Sequence, residues 1–236
     1  GCFDEHGILP MNTLRPDGAV YGYTCGWNRR VSGSVDTAIG LAISHDEGLT
    51  FERIGQGPVL AASINEPCLV GDGFVRVFRN TFHMWYIFGT GWKRYAPDVP
   101  PDRTYKIGHA VSDDGINWRK EEARQIISDH LGSDESQALP TVIEIAGRYH
   151  LFFCYRQSFD FRNNKGRGYR IGHAYSDDLD SWTRDDENPL LDIAPGAWDS
   201  DMQCYPHVFE CEGLVYLLYN GNEFGRYGFG LAVLEP

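Results

Sequence analysis

Tyr105-Lys106-Ile107-Gly108-His109-Ala110-Val111-Ser112-Asp113-Asp114-Gly115-Ile116-Asn117-Trp118 comes back in the same chain as Tyr169-Arg170-Ile171-Gly172-His173-Ala174-Tyr175-Ser176-Asp177-Asp178, closing on Trp182. An earlier copy, Ile39-Gly40-Leu41-Ala42-Ile43-Ser44, closes on Phe51. A shortened one is Phe229-Gly230-Leu231-Ala232-Val233. The copies begin at 39, 107, 171 and 229, so the steps are 68, 64 and 58 residues. A period of that size in strand-like segments marks repeated small sheets rather than one continuous sheet.

Working outward, each repeat divides into four strands. The second strands are clearest, at 20–27, 82–88, 149–155 and 215–220, rich in aromatic and β-branched residues. Nine or ten residues before each stands a landmark, Pro10, Gly73, Pro140 or Pro206, with steps of 63, 67 and 66. Pro67 is a rival landmark in the second repeat and implies a longer first hairpin there. First strands are expected at 10–14, 74–78, 141–145 and 207–211, followed by tight turns such as Arg15-Pro16-Asp17-Gly18. The third strand is Ile-Gly-x-Ala, and the fourth carries Phe51, Trp118 or Trp182. Radial repetition of four antiparallel strands is a β-propeller. The expectation is one all-β propeller domain over 1–236, with blades at about 1–60, 61–128, 129–195 and 196–236. Residues 121–130 read equally as a short helix or a loop. The last repeat has only three strands, so about one blade is expected to be absent from the N-terminal end. A closed four-bladed ring and pairing with a second chain are the alternatives, and an open edge invites self-association.

The chain has 236 residues, 42% of them hydrophobic and 14% aromatic, enough for a substantial core. A net charge of −12 without a basic run argues against nucleic acid. No apolar stretch is long enough to span a membrane, and the N-terminus has no signal pattern. Six cysteines lack any C-x-x-C spacing, and four lie in apolar runs. They read as buried thiols of a reducing, cytoplasmic compartment, with no zinc site.

Antiparallel order separates two faces. Strand-three-to-four turns are short and lie on one face. Among them Ser44-His45-Asp46-Glu47-Gly48-Leu49-Thr50-Phe51 matches the Asp-box pattern S-x-D-x-G-x-T-[WF]. Asp46, Asp113, Asp114, Asp177 and Asp178 are read as turn-forming. The long connections 28–36, 91–104 and 157–168 lie on the other face, together with acids that precede the inner strands. These are Asp4 and Glu5, Glu66 and Asp72, Asp134 and Glu135, and Asp199 and Asp201. Singly, each suits a loop cap or a partner for Arg30, Arg79 or Arg156. As a set they suit glycoside chemistry, in which one carboxyl donates a proton and another stays ionised. Trp27, Trp92, Gln137, Gln203, Tyr205, Asn220 and Asn222 on this face suit sugars, and His6 and His207 could take hydroxyls. His83, His109, His150 and His173 lie mid-strand and are read as packing residues.

The repeat Ile-Gly-x-Ala-x-Ser-x-Asp-Gly-x-x-Trp, with acids heading the inner strands, resembles the five-bladed β-propeller glycoside hydrolases and phosphorylases of families 43, 32, 62 and 130 and their glycosidase-like relatives. The stretches 2–10 and 198–207 carry the resemblance further, and it covers essentially the whole chain. It implies three acids on successive inner strands. Asp4 is the implied base, Glu135 the acid, Asp72 (in Val70-Gly71-Asp72-Gly73) the pKa-tuning residue, and Glu66 the reserve. Glu66 takes the place of Asp72 if Pro67 is the landmark. Glu135 stands five residues before Pro140 rather than beside it, a departure from the family pattern.

Three functions follow as alternatives. One is a glycosidase. The second is a non-catalytic carbohydrate-binding propeller, or an inactive fragment. The third is a phosphorylase, with Arg30, Arg79 and Arg156 as phosphate ligands. Substrate contacts are expected from His6, Trp27, Arg30, Trp92, Gln137, Arg156, Asp201, Gln203, His207, Asn220 and Asn222. The expected partner is an oligo- or polysaccharide, and no cofactor is expected. Carboxylates and amides near the axis are calcium-type ligands, but no loop has a recognised calcium spacing.

Overall fold

The structure, a computed structural model, describes residues 2–186, 190–191 and 193–234. Residues 1, 187–189, 192 and 235–236, which the sequence reading gives to the first, third and last blades, lie outside the described residues. The protein is all-β, of the β-propeller class, with four small antiparallel sheets as its blades. They divide between two compact units, Gly1–Gln125 and Ile126–Pro236.

In the first unit, β1 (Ile8–Leu14), β2 (Val20–Arg29), β3 (Val35–Ser44) and β4 (Glu52–Arg53) form one sheet in sequence order. Beside it, β5 (Cys68–Phe78), β6 (Thr81–Lys93), β7 (Asp102–Ser112) and β8 (Arg119–Lys120) form the second. The second unit repeats the plan with β9 (Glu135–Ile145), β10 (Arg148–Gln157), β11 (Arg170–Ser176) and β12 (Thr183–Arg184). Its other sheet has three strands among the described residues: β13 (Cys204–Cys211), β14 (Leu214–Asn220) and β15 (Phe229–Val233). Residues 121–130 contain no helix, so the loop alternative holds there.

The first strands begin earlier than the landmarks suggest, because each runs through a bulge. Register slips by one residue between Leu9 and Asn12, Gly71 and Phe74, Ala138 and Thr141, and Cys204 and His207. Lined up on these bulges, Met11 rather than Pro10 matches Gly73, Pro140 and Pro206. Asp72 then occupies the place of Leu139 and Tyr205. All three have left-handed φ, at 51°, 48° and 60°, as a bulge that re-aims a side chain requires. Asp72 is therefore within β5, while the hairpin turn falls at Arg79 and Asn80. Pro67 directly precedes β5, which carries a further slip between Cys68 and Gly71.

The repeat motif has a packing cause. Its glycine lies under the aromatic ring of the second strand. A Cβ would come within 2.9 Å of Tyr86 at Gly108, 2.5 Å of Phe153 at Gly172 and 2.5 Å of Tyr219 at Gly230. The alanine that follows faces the interior at Ala110 and Ala174. Within each unit the two sheets join inner strand to inner strand. The Val75 amide donates to Asn12 Oδ1 (2.8 Å), and the Val208 amide to Thr141 Oγ1 (3.1 Å). Between the first two sheets Tyr23, Ile39, Leu41, Val70, Val75, Met84, Tyr86 and Phe88 form a buried apolar cluster. Fully burying one such side chain is worth about 1.5–3 kcal/mol. Trp118 meets Tyr23 edge-on at 5.9 Å, as expected of a fourth-strand aromatic packing on its neighbour.

The three-to-four turns are Asp boxes in fact. Asp46, Asp114 and Asp178 each accept from a serine two residues earlier and from backbone amides that follow. The mid-strand histidines pair with one another, His83 with His109 and His150 with His173, each at 3.0 Å, and burial lowers the pKa of His83, His150 and His173.

Candidate functional site

The acids heading the inner strands are held in one recurring way. Asp4 is paired with Arg53 of β4 in its own sheet. Glu66, 0% exposed, accepts from the Tyr86 hydroxyl at 2.8 Å and the Ala123 amide at 3.0 Å, and is ion-paired with Lys120 of β8. Glu135, also 0% exposed, accepts from the His130 and Leu131 amides at 2.8 Å and from Arg184 of β12 at 2.6 Å. In these three blades the acid ties the head of the first strand to the cation of the fourth. In the last blade Asp199 accepts from Tyr219 at 2.7 Å. That hydroxyl has its pKa pushed up to about 12, by burial first and by Asp199 second, so it remains a proton donor.

Asp4, Glu66 and Asp199 lie seven residues before the bulge positions Met11, Gly73 and Pro206. The equivalence is different from a count back from Pro10, which groups Glu5 with Glu135 and Asp201. The cause is the one-residue offset of the first bulge. Glu66 and Glu135, as placed, present no surface to a ligand. Asp72 is half-buried at its bulge, near Cys25, whose thiol is pushed up to about 12 by burial first and the Asp72 charge second.

The second unit contains an open cavity of about 760 Å³. Its walls come from the β10–β11 connection, the segment before β13 and the β14–β15 connection, the face on which the sequence places ligand contacts. Phe161, Phe224 and Tyr227 supply rings, and Arg162, Lys165, Ser200 and Asp201 supply polar groups. Beneath them Phe161, Tyr169, Tyr205 and Phe224 form a cluster with centroid separations of 6.0–6.4 Å. Tyr205 reaches it from its bulge, stacked on Phe224 at 6.3 Å. Arg156 lies below, 3.6 Å from the Phe161 ring centre, donating to the carbonyls of Gln157 and Ser158. Arg162 sits 5.0 Å over Phe161 and 4.9 Å over Phe224. Asp201 accepts from Lys165 at 2.5 Å, which raises the lysine pKa.

The amides expected to touch sugar have structural duties. Asn222 lines the cavity, but its Oδ1 accepts from the Asp201 and Met202 amides at 2.8 and 2.9 Å, so it fixes the rim. Gln137 is buried and donates to Ile127, Ser128 and Glu135, while Gln203 donates to the Asp199 carbonyl. Asn220 packs against Gly225 at the end of β14. His207 is exposed, its ring 6.1 Å from Phe209.

In the first unit His6 lies 5.8 Å from Trp27 and meets Asn28 at 3.2 Å. Arg30 is ion-paired with Asp36. Trp92 is exposed, with the Arg103 guanidinium 5.5 Å over its ring. Arg103 also donates to Ser34, joining the β2–β3 and β6–β7 connections. Phe161, Arg162, Lys165, Phe224 and Tyr227 escaped the sequence reading. Their signal is an aromatic and cationic run inside the long 157–168 connection and a second one just after β14. Among the described residues no group of three or more His, Cys, Asp or Glu is arranged to hold a metal. No helix is long and apolar enough to cross a membrane.

No protein-family model matches the chain. Several solved structures share its fold. A complex of BT0996 with the name RGII superposes with a TM-score of 0.71 at 19% identity, over 94% of this chain and 64% of its counterpart. A thermostable family-43 glycoside hydrolase gives 0.68 at 16% identity, over 96% and 70%. The Bombyx mori GH32 beta-fructofuranosidase BmSUC1 gives 0.68 at 17%, over 96% and 45%. The chain thus spans under two thirds of the first of these. Two Mycobacterium tuberculosis proteins, the uncharacterized MT1551 and Rv1502, are each 36% identical over 236 residues, all of this chain and 74% of their own length. Identity at that level along the full chain, on a fold shared with glycoside hydrolase propellers, shows that the chain belongs to the family of MT1551 and Rv1502.

Proposed function

We propose that this protein recognises a carbohydrate, and that it does so in the cavity of the second unit. The observation that carries this reading is the pairing of ring faces at Phe161, Phe224 and Tyr227 with Asp201, Lys165, Ser200 and Arg162 around one open concavity. Aromatic faces take the C–H surface of a sugar ring, and flanking charged groups take its hydroxyls. Asn222 and Arg156 act by positioning the rim and the ring cluster. The likeness to glycoside hydrolase folds supports the same reading at the level of fold.

Calorimetry with a panel of neutral and acidic oligosaccharides tests it. At least one should bind, and Phe224→Ala should weaken that binding about tenfold or more. A panel with no binder, or a binder indifferent to Phe224→Ala and Asp201→Asn, refutes the reading.

Hydrolysis by Asp4, Asp72, Glu135 and Glu66 is a second reading, favoured by the same fold likeness. It requires Glu66 and Glu135 to gain access to substrate from their paired, buried positions. Release of reducing sugar, lost in Glu135→Gln or Asp4→Asn, would support it. Phosphate-dependent release of a sugar phosphate would favour the phosphorylase alternative.

A further inference from the structure

Three blades end in a two-residue strand, and these strands act alike. Arg53, Lys120 and Arg184 stand opposite the alanine of Ile-Gly-x-Ala, paired with Ala42, Ala110 and Ala174. Each cation meets the acid at the head of its own sheet: Asp4, Glu66 or Glu135. Two residues before each cation is an aromatic: Phe51, Trp118 or Trp182.

The last blade has every component of this device except the strand. Asp199 occupies the place of Glu66, and Tyr219 donates to it as Tyr86 does to Glu66. Trp198 stacks on Tyr219 at 5.7 Å and covers the pair, leaving Asp199 5% exposed. Among the described residues no cation is ion-paired with Asp199, and β15 has no neighbour beyond it. Its side chains Phe229, Leu231 and Val233 are 70%, 55% and 46% exposed. An open strand edge with apolar side chains is a template for another strand.

We propose that the outer edge of β15 is the docking site of one antiparallel strand of the form aromatic–x–Arg/Lys, its cation opposite Ala232 and ion-paired with Asp199. A second copy of β15 could hydrogen-bond there, but Phe229–Val233 has no cation to offer. The three fourth-strand segments are already engaged in their own sheets. The matched region is 74% of Rv1502, and the strand belongs to the remainder of such longer family chains.

The test is backbone hydrogen exchange of Phe229–Val233 in the 236-residue protein, with a synthetic peptide copying residues 181–186 (Ser-Trp-Thr-Arg-Asp-Asp) and with its Arg184→Gln counterpart. The arginine peptide should slow exchange at β15 and bind at least tenfold more tightly than the glutamine peptide. In Asp199→Asn the two peptides should bind alike. Equal affinity in the unchanged protein, or no protection at millimolar peptide, overturns the proposal. Protection that rises with protein concentration in the absence of peptide assigns the edge to a second copy and also overturns it. In full-length Rv1502 the matching strand should already be protected. It should lose protection when the unmatched part is removed, and persistence of protection overturns the assigned source.

Discussion

Replacing Glu135 by glutamine separates the structural role of this residue from a catalytic one. The carboxylate is fully buried, accepts two backbone amides through one oxygen, and receives Arg184 through the other. The Arg184 side chain is itself only 6% exposed, and it donates to the Ser128 carbonyl and to Asp186 as well. Glutamine keeps the shape but turns one acceptor into a donor, facing either two N–H groups or a guanidinium. Removing one partner of a buried ion pair costs about 3–5 kcal/mol. In a chain of this size that is a drop of about 6–20 °C in melting temperature. Thermal unfolding of the 236-residue protein, followed by circular dichroism at pH 7, measures it. The double variant Glu135→Leu, Arg184→Leu should recover part of the loss, because an apolar pair leaves no charge uncompensated. A Glu135→Gln protein that melts within about 2 °C of the parent while losing saccharide turnover would refute the structural assignment and return Glu135 to the acid role.

Two other outcomes follow from packing and protonation. Asp46 and Asp178 have pKa values of about 2, set first by the Thr50 hydroxyl and by the Ser181 amide respectively, against 3.8 ordinarily. A depressed folded-state pKa gives stabilisation that is full above about pH 4 and is lost as pH falls toward 2. Asp46→Asn should therefore lower the melting temperature at pH 7, with the difference from the parent vanishing near about pH 1.5. Gly172→Ala should destabilise by about 1–3 kcal/mol, because its Cβ would come 2.5 Å from Phe153 Cζ. Trimming that ring with Phe153→Leu should relieve the clash, which urea unfolding of the single and double variants would show.

Blade architecture was legible in the sequence because its causes are local and repeated. The glycine under a second-strand ring, the inward alanine and the Asp-box turn are each specified by residues within one hairpin. They recur with every blade, so one reading checks another. Even the face carrying the cavity follows from strand order, since the connections after β10 and β14 must emerge together. The bulges were not legible, since a one-residue slip has no spacing of its own. Pro10 therefore looked like the counterpart of Pro140, where the backbone selects Met11. The roles of the acids were the largest gap. Asp4, Glu66 and Glu135 resemble a catalytic set in one dimension, but their partners Arg53, Lys120 and Arg184 lie 49, 54 and 49 residues further on. The cavity residues were dispersed likewise, with Phe161 and Phe224 meeting at 6.2 Å from separate connections. The sequence by itself determined an all-β chain of repeated four-stranded blades, because hydrogen bonding and side-chain alternation act over a few residues. Only the tertiary structure decided which charges are spent on holding blades together and which rings gather around open space, because those contacts form between strands far apart in the chain.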